Sequence, residues 1–327
     1  MPELEKIKDP IEVSVVIPVY NEEAVLPALF ARLYVALDKL QRSYEIIFID
    51  DGSHDKSRAL LRQQFQLRPE VTRVVYLKMN AGQHMALIAG FEHARGRRVV
   101  TLDSDLQNPP EEIGNLLAKM DEGFDYVGSI RRQRNDSLWR HVASRLMNRL
   151  RDRITHIHIT DQGCMLRAYD RDIIRAMLSS REITTFIPAL AYVYAANPAE
   201  ILVEHEERAA GESKYSLYKL TRLNFDLVTS FSIVPLQMFS LIGIVVSIIS
   251  FLFVLYLVLR RLIVGPEVEG VFTLFAIAFF VMGLMLFGIG LLGEYLGRLY
   301  IQVRERPRYL VHSVLEVTTA DTESGNA

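Results

Sequence analysis

The sequence predicts an α/β fold in which helices cover both faces of a mostly parallel sheet, joined to a pair of membrane-spanning helices. Two observations predict it. Four short apolar runs alternate with segments of helical periodicity within the first 105 residues, which is the pattern of βαβ units. Two charge-free segments, 236–259 and 271–292, follow later, and each exceeds the ~20 residues that cross a hydrocarbon core. The 327 residues also suffice for two units of about 150 residues each.

The elements of the globular part follow from the spacing of their apolar residues. A first helix opens after Asn21 and places Leu26, Leu29 and Leu33 on one face. Further helices are predicted at 55–65 and 85–93. Buried strands are predicted at 13–20, 45–49, 73–77, 98–102 and 126–130. Because strands and helices alternate, the sheet should be mostly parallel and covered by helices on both faces.

The two charge-free segments predict a membrane hairpin. A pair of buried helices in a soluble core is the alternative, but such helices seldom lack charges over more than about 20 residues. The polar residues 1–10 do not form a signal peptide, so the globular part should stay where it is made. Basic residues flank the hairpin on both sides, although Arg260 and Arg261 in its connecting loop oppose that orientation. We therefore expect the globular domain and both termini in the cytoplasm.

Composition and missing motifs narrow the function classes. The net charge of −2 gives no indication of nucleic-acid binding. The single cysteine, Cys164, excludes an internal disulfide and fits a reducing compartment. The sequence has neither G-x-G-x-x-G after the first strand nor G-x-x-x-x-G-K-[ST], which disfavours a dinucleotide enzyme and a P-loop nucleotide triphosphatase.

Polar residues follow three of the predicted strands. They are the stretch 18–22, the pair Asp50 and Asp51, and the pair Asp103 and Asp105. Because the carboxyl ends of parallel strands meet at one edge of a sheet, these residues should form one pocket. Aspartate also forms turns and helix caps, which is the alternative for each pair alone. Because polar and acidic residues recur at successive strand ends, a binding site is favoured over separate turns and caps.

The pair Asp103 and Asp105 has the chemistry of a metal site. With the amide of Gln107 it offers hard oxygen ligands suited to Mg²⁺ or Mn²⁺ that carries a phosphate substrate, such as a nucleotide-sugar diphosphate. Asn108 is predicted to cap the next helix, with Pro109 at its first position and Glu111 in a capping box.

Basic residues follow the fifth predicted strand. Arg131 and Arg132 can bind phosphate oxygens of a leaving diphosphate or of an acceptor, although a solvated basic loop is the alternative. The basic amphipathic segment 138–150 carries Trp139 and predicts a helix in the membrane interface, or else a surface helix packed on the domain. A similar segment, 213–223, precedes the first span.

Several stretches resemble the motifs of a known family, the family 2 inverting glycosyltransferases, whose fold is called GT-A. The stretches that carry this resemblance are 16–22, 49–53, 80–83 and 102–107. Others resemble the polyprenyl-phosphate subgroup, and within it transferases of 4-deoxy-4-formamido-L-arabinose; they are 161–169, 185–188, 211–216, 269–272 and 292–298. The resemblance covers roughly residues 11–312. One departure is Gln162, where that subgroup has tyrosine, and it bears on sugar selectivity.

The resemblance implies a role for each matching residue. The nucleotide sugar would be bound by Pro18, Tyr20, Glu22, Asp50, Asp51, Gln83, Asp103 and Ser104. The metal would be held by Asp103, Asp105 and Gln107. The residues assigned to the reaction itself are Asp103, Asp105, Asp161 and Arg131. The acceptor phosphate would be bound by Arg132, Arg208, Ser213 and Lys214.

The function implied by the resemblance is inverting, metal-dependent transfer of a sugar from a UDP-sugar to undecaprenyl phosphate. The sugar would be 4-deoxy-4-formamido-L-arabinose, for lipid A modification and polymyxin resistance at a bacterial inner membrane, and the protein would be a homo-oligomer, a tetramer. Transfer of glucose or another hexose for O-antigen decoration is the alternative within this class. A membrane-bound sugar-nucleotide scaffold without catalysis is the alternative from another class.

The chain is accordingly divided into four predicted parts. They are a GT-A domain at 11–207 that includes an interfacial helix at 137–153, a juxtamembrane segment at 208–235, the two spans within 236–293, and a C-terminal tail at 294–327.

Overall fold

A computed structural model of the protein describes residues 11–131, 159–161, 163–180, 186–206, 234–265, 271–303 and 307–317. Helices and strands are numbered in chain order within these residues. The chain divides into two compact units. The first unit consists of Met1–His141, Ile157–Lys214 and Arg306–Ala327, and the second consists of Val142–His156 and Tyr215–Glu305.

The first unit opens with the predicted alternation of strands and helices. Its first four strands are β1 (Val13–Val19), β2 (Tyr44–Asp50), β3 (Thr72–Leu77) and β4 (Arg98–Thr101). The helices between them are α1 (Leu26–Asp38), α2 (Ser57–Leu67) and α3 (Gln83–His93). Apart from Tyr44, every residue of these strands is buried, which explains why they read as continuous apolar runs in the sequence.

The described residues in the rest of the first unit add four strands and three helices. The strands are β5 (Tyr126–Arg131), β6 (Arg167–Asp170), β7 (Pro198–Val203) and β8 (Val311–Leu315). The helices are α4 (Ile113–Asp121), α5 (Arg171–Ser179) and α6 (Ile187–Tyr194).

All eight strands form one sheet in the order β7-β5-β6-β4-β1-β2-β3-β8. The central strands β3, β2, β1 and β4 are parallel, and so are β5 and β7. Strand β6 runs antiparallel to β4 and β5, and β8 runs antiparallel to β3. The prediction of a mostly parallel α/β sheet is therefore confirmed, with antiparallel strands that the periodicity did not reveal.

Strand β8 lies in the segment that the sequence predicts as a tail, yet it completes the sheet. It follows the second apolar helix in the chain and pairs with β3, and the Lys78 N–H donates to the Leu310 carbonyl at 2.8 Å. Glu316, just past β8, lies 2.6 Å from the guanidinium groups of both Arg73 and Arg95. This strand covers an edge of β3 that would otherwise expose unpaired backbone groups.

The core lies between the sheet and its helices. Leu26, Leu29 and Leu33 of α1 are fully buried, as their spacing predicts. Helix α3 lies so close to the sheet that a Cβ at Gly90 would be 2.3 Å from the Val16 side chain. Glycine is therefore required at this crossing.

The predicted start of the helix after the paired aspartates is wrong. Helix α4 begins at Ile113, after a short 3-10 turn at Pro110–Glu112. Pro110 disfavours helical backbone at Pro109, which is extended (ψ 130°). Asn108 is therefore no cap: it is buried, and its side-chain oxygen accepts a hydrogen bond from the Cys164 thiol at 3.3 Å.

The second unit contains two long helices, α7 (Val234–Val264) and α8 (Val271–Val303). Their most apolar windows, Leu236–Phe253 and Ile277–Gly297, have mean hydropathies of 2.3 and 2.1. By length and composition both helices are able to cross a membrane. They touch where a Cβ on Gly288 would lie 2.1 Å from the Phe239 ring, so a small residue is needed at that crossing.

Candidate active site

The carboxyl ends of β1, β2 and β4 lie together at one edge of the sheet, as predicted. The Asp51 N–H donates to the Val19 carbonyl at 2.9 Å, and the Leu102 N–H donates to the Val16 carbonyl at 3.1 Å. Just beyond each strand a residue with left-handed backbone turns the chain: Asn21 (φ 55°), Gly52 (φ 73°) and Leu106 (φ 60°). Three polar turns thereby follow the strand ends at this edge, and they form the frame of the site.

The Asp51 carboxylate binds the loop that follows β3, residues 78–82, which we call the β3 loop. One oxygen accepts the Ala81 N–H at 2.7 Å and the other accepts the Gly82 N–H at 2.9 Å. A Cβ at Gly52 would lie 2.8 Å from the Asn80 nitrogen, so glycine lets the turn after β2 pack on this loop. Burial raises the pKa of Asp51, and the two amide donors offset this only in part.

Asp50 is fully buried at the end of β2 and is neutralised by a residue that sequence reasoning missed. One of its oxygens accepts the Ser53 N–H at 3.1 Å, and the other lies 3.0 Å from Arg58 Nε. The Arg58 guanidinium also lies 4.9 Å from the centre of the Tyr76 ring. The only sequence signal for Arg58 is a basic residue near the start of the predicted helix 55–65, eight residues after Asp50.

The turn after β4, residues 103–108, is called the donor loop below. The Gln83 amide at the start of α3 donates to Asp103 Oδ1 at 2.6 Å, so the structure brings these two predicted residues together. The Gln107 N–H donates to Asp105 Oδ1 at 3.2 Å. Leu106 between them has a left-handed backbone that costs a non-glycine residue about 1–2 kcal/mol. Such conformations are often found at functional sites.

The donor loop fits a hard divalent cation through the chemistry of its oxygens. Asp103 and Asp105 are both partly exposed carboxylates of this loop, which also contains Gln107. Within the described residues, no group of three or more His, Cys, Asp or Glu side chains could hold a metal ion. Mg²⁺ is commonly bound by one or two carboxylates plus substrate phosphates, so a two-carboxylate loop fits it when a phosphate ligand is present.

Arg131, the last residue of β5, is held by Asp161. Its Nε donates to Asp161 Oδ2 at 2.7 Å and its Nη2 donates to Oδ1 at 2.8 Å, while the Gly163 N–H donates to Oδ1 at 3.1 Å. The hydrogen bonds that Arg131 donates to Asp161 raise the pKa of Arg131. A Cβ at Gly163 would lie 2.7 Å from Arg131 Nη2, so this glycine leaves room for the pair. The Asp161 carboxylate is buried, and all of these contacts orient the guanidinium of Arg131.

Arg167, at the start of β6, is a second arginine that sequence reasoning missed. It is completely buried; its Nε donates to the Cys164 carbonyl at 2.8 Å, its Nη2 donates to the Asp161 carbonyl at 2.6 Å, and its Nη1 contacts the Tyr126 hydroxyl. The sequence feature that could have revealed Arg167 is the presence of a charged residue inside the apolar stretch 164–169. Arg167 fixes the backbone that carries Asp161.

The remaining predicted site residues fall into two groups. Pro18 lies in β1 beyond its last pair with β4, Tyr20 is 43% exposed at the rim, Glu22 is half-buried and Ser104 is buried. Others lie outside the described residues, and these are Arg132, Gln162, Arg208, Ser213, Lys214 and the segment 137–153. The described part of the site is thus the part assigned to the sugar nucleotide and to Arg131.

Comparison with known families identifies the class of protein. The glycosyl transferase family 2 model matches residues 14–178, which include β1 to β4, the donor loop and Asp161. The chain belongs to glycosyl transferase family 2.

The curated relatives are more specific. Undecaprenyl-phosphate 4-deoxy-4-formamido-L-arabinose transferase of Aeromonas hydrophila is 51% identical over 95% of this chain and 96% of that protein. The proteins of the same name from Shewanella sediminis and Edwardsiella ictaluri are 50% identical over 93% of the chain and 49% identical over 95% of it. A solved structure of Mycobacterium tuberculosis glucosyl-3-phosphoglycerate synthase with phosphoglyceric acid has a TM-score of 0.47 at 17% identity, covering 68% of this chain and 79% of that chain.

Proposed function

We propose that the protein is an inverting, metal-dependent glycosyltransferase of the membrane that moves 4-deoxy-4-formamido-L-arabinose from a UDP-sugar to undecaprenyl phosphate. The observation that carries the proposal is the identity of 49–51% to three transferases of that name over 93–95% of the chain. The reaction serves lipid A modification, and through it polymyxin resistance. The polar edge of the sheet supports it as a site built for a nucleotide sugar.

We assign the donor to the edge formed by the first, second and fourth strands. Pro18, Tyr20 and Glu22 line the side of β1, where the ring of Tyr20 is exposed. Asp50 and Asp51 shape the pocket, because their carboxylates already bind Arg58 and the β3 loop. The diphosphate is assigned to the donor loop, next to Gln83 and Ser104.

The transfer is a single displacement. An oxygen of the acceptor phosphate attacks the anomeric carbon; this C–O bond forms as the bond from the same carbon to UDP breaks, and the configuration inverts. The acceptor phosphate is already anionic near neutral pH, so a strong general base is less needed than for a sugar hydroxyl. When bound, Mg²⁺ or Mn²⁺ would add positive charge beside the leaving diphosphate, with Asp103, Asp105 and Gln107 as its protein ligands.

Arg131 is the residue that we assign to the charge on the leaving group or on the acceptor phosphate. A guanidinium held on one side by Asp161 presents its donors in a fixed direction, which favours bidentate binding of phosphate oxygens. Because Asp161 is buried and accepts bonds from Arg131 and Gly163, we assign it the orientation of Arg131 rather than proton transfer. Arg132, Arg208, Ser213 and Lys214 remain predicted ligands of the acceptor phosphate.

The connection of the chain supports a membrane hairpin with both ends on one side. Strand β8 follows α7 and α8 in the chain and pairs with β3, which precedes them. If each of the two apolar helices crosses once, the chain returns to the side that it left. We place that side in the cytoplasm of a bacterium, in line with the basic residues that flank the hairpin. The tetramer stays a prediction.

The metal assignment is tested by Asp105→Ala in purified protein. We expect a loss of UDP release of about 100-fold or more, because the loop loses one of its two carboxylate ligands. The matched control is Asp172→Ala, since Asp172 is an exposed carboxylate at the start of α5 with a side-chain accessibility of 84%. Mn²⁺ binding with UDP, followed by electron paramagnetic resonance, should be lost in Asp105→Ala alone. Near wild-type turnover by this variant would refute the assignment.

A further inference from the structure

Strand β8 continues its pairing with β3 past the end of that strand, as far as the β3 loop. Leu77 pairs with Val311, and the Lys78 N–H donates to the Leu310 carbonyl at 2.8 Å. Lys78 is the first residue of the β3 loop, and the Asp51 carboxylate binds two amides at the end of the same loop. Strand β8 therefore supports the start of a loop that belongs to the candidate site.

The pairing contains a β-bulge at this end of β8. Tyr76 pairs with Ser313, whereas the next residue, Leu77, pairs with Val311, so His312 is an extra residue on β8. An extra residue of this kind bends its strand and increases the local twist, and such bulges are often found next to active sites. The bulge thus sets the direction in which the two strands approach the β3 loop.

The residues of β3 that face the bulge also contact the arginine that neutralises the end of β2. The Arg58 guanidinium lies 4.9 Å from the centre of the Tyr76 ring, and its Nη2 donates to the Leu77 carbonyl at 3.5 Å. Arg58 Nε in turn lies 3.0 Å from a carboxylate oxygen of Asp50. A change in the path of β3 at Tyr76 and Leu77 should therefore shift Arg58 relative to Asp50.

A side chain just before β8 contacts the helix that follows the β3 loop. The Tyr309 hydroxyl donates to the carboxylate of Glu92, near the end of α3. At the start of the same helix, the Gln83 amide donates to Asp103 at 2.6 Å. The segment 309–313 thus contacts β3, the first residue of the β3 loop and α3.

We propose that β8 is a positioning element of the donor site, the part of the sheet edge that we assign to the sugar nucleotide. Its bulge at His312 and its bond to Lys78 hold Arg58 and the β3 loop in the arrangement that binds the donor. This inference rests on the proposed function, in which Asp50 and Asp51 shape the pocket for the nucleotide. A donor site formed early in the chain then depends on a strand that follows both apolar helices.

The far end of β8 allows positioning to be separated from simple attachment. There Glu316 lies 2.6 Å from the guanidinium groups of Arg73 and Arg95. Arg73 is near the start of β3, at the opposite end of that strand from the β3 loop. Glu316→Gln removes the charge and keeps one oxygen acceptor, so it should weaken the attachment of β8 at this end and leave the bulge unchanged.

The test compares deletion of His312 with His312→Ala and Glu316→Gln in the full-length purified protein. The deletion removes the bulge and keeps the paired residues on either side of it, so the edge of β3 stays covered. His312→Ala is the matched control, because it keeps the extra residue and changes only an exposed side chain.

We expect the deletion to raise the Kd for UDP with Mn²⁺ about tenfold, which is a typical coupling between two sites, and both substitutions to leave it within about twofold of the wild type. The KM for undecaprenyl phosphate should stay within about twofold in all three variants, because sites without shared contacts behave independently. A general loss of folded protein would instead affect donor and acceptor alike.

Hydrogen exchange in the wild type supplies a readout that does not require a variant to fold. If separation of β8 from β3 weakens donor binding about tenfold, the bound donor makes that separation about tenfold rarer, because the coupling is reciprocal. UDP with Mn²⁺ should therefore slow the exchange of the β8 amides about tenfold and leave the amides of α5 unchanged.

Three results would each overturn the proposal. They are a folded deletion variant with the wild-type Kd for UDP, an equal rise of that Kd in either substitution, and β8 amides that exchange at the same rate with and without UDP. Wild-type protein that binds UDP but releases none with any donor would instead refute the proposed function. The comparison of Kd values would then still decide whether β8 positions the nucleotide site.

Discussion

Asp51→Asn is the substitution that tests most directly how the site is built. In the structure Asp51 uses its two oxygens on two successive amides of the β3 loop, at 2.7 and 2.9 Å. Asparagine keeps one of these acceptors and turns an NH₂ group toward the other amide. One N–H of a partly buried loop therefore loses its partner, next to the predicted nucleotide-sugar residue Gln83.

The size of the effect follows from two opposing terms. Removing the partner of a buried donor costs about 1–3 kcal/mol. Burial raises the pKa of Asp51, which means that the charged carboxylate is itself costly to bury, and asparagine relieves part of that cost. We therefore expect a loss near the lower end, about 1.5 kcal/mol, which corresponds to a decrease of about 5 °C in Tm.

Asp125→Asn is the matched control. Asp125 also accepts two successive amides, those of Ala196 and Asn197 at 2.6 and 2.9 Å, but it lies before β5, away from the site. Thermal unfolding in detergent should reveal a loss of stability in both variants. Binding of UDP with Mn²⁺ should weaken only in Asp51→Asn. Equal donor binding in the two variants, or no change of Tm in Asp51→Asn, would refute the reasoning.

Three further predictions concern the sheet edge, the acceptor and pH. Deletion of residues 307–327 should lower Tm and promote aggregation, because it uncovers the β3 edge that β8 pairs with; size-exclusion chromatography measures this. Lys214→Ala should raise KM for undecaprenyl phosphate more than KM for the donor, and equal changes would place Lys214 elsewhere. Hydrogen bonds from Arg42 and Arg98 lower the pKa of Asp121, so its stabilising effect is present above the ordinary value of about 4 and is lost as pH falls. Asp121→Asn should therefore flatten the decline of Tm in acid, and an unchanged acid slope would contradict this.

The sequence was sufficient for the parts of the fold that depend on local patterns. The strands β1 to β4 are buried on both sides and therefore appear as apolar runs, and α1 displays its buried leucines at helical spacing. β8 escaped prediction because it is a short, half-exposed strand whose partner β3 lies far away in the chain. Strand β8 forms because it pairs with a strand far away in the sequence, and a local sequence pattern does not predict such a pairing.

The site could be predicted by residue type and position but not by partner. Asp50, Asp51 and Asp161 are all predicted site residues, yet the carboxylates of Asp51 and Asp161 are directed by contacts distant in sequence. Asp161 and Arg131 are 30 residues apart, and Asp51 and Ala81 are also 30 apart. Such contacts form between loops that the folded sheet brings together, so local sequence patterns do not predict them.

The measurement that tests the central claim is release of UDP by the purified protein with undecaprenyl phosphate and Mg²⁺ or Mn²⁺. The donors compared are UDP-4-deoxy-4-formamido-L-arabinose, UDP-glucose and UDP-N-acetylglucosamine. We predict turnover with the formamido sugar and no more than background with the two hexoses. Turnover with a hexose in place of the formamido sugar would contradict the assigned substrate, and silence with all three donors would contradict the assigned activity.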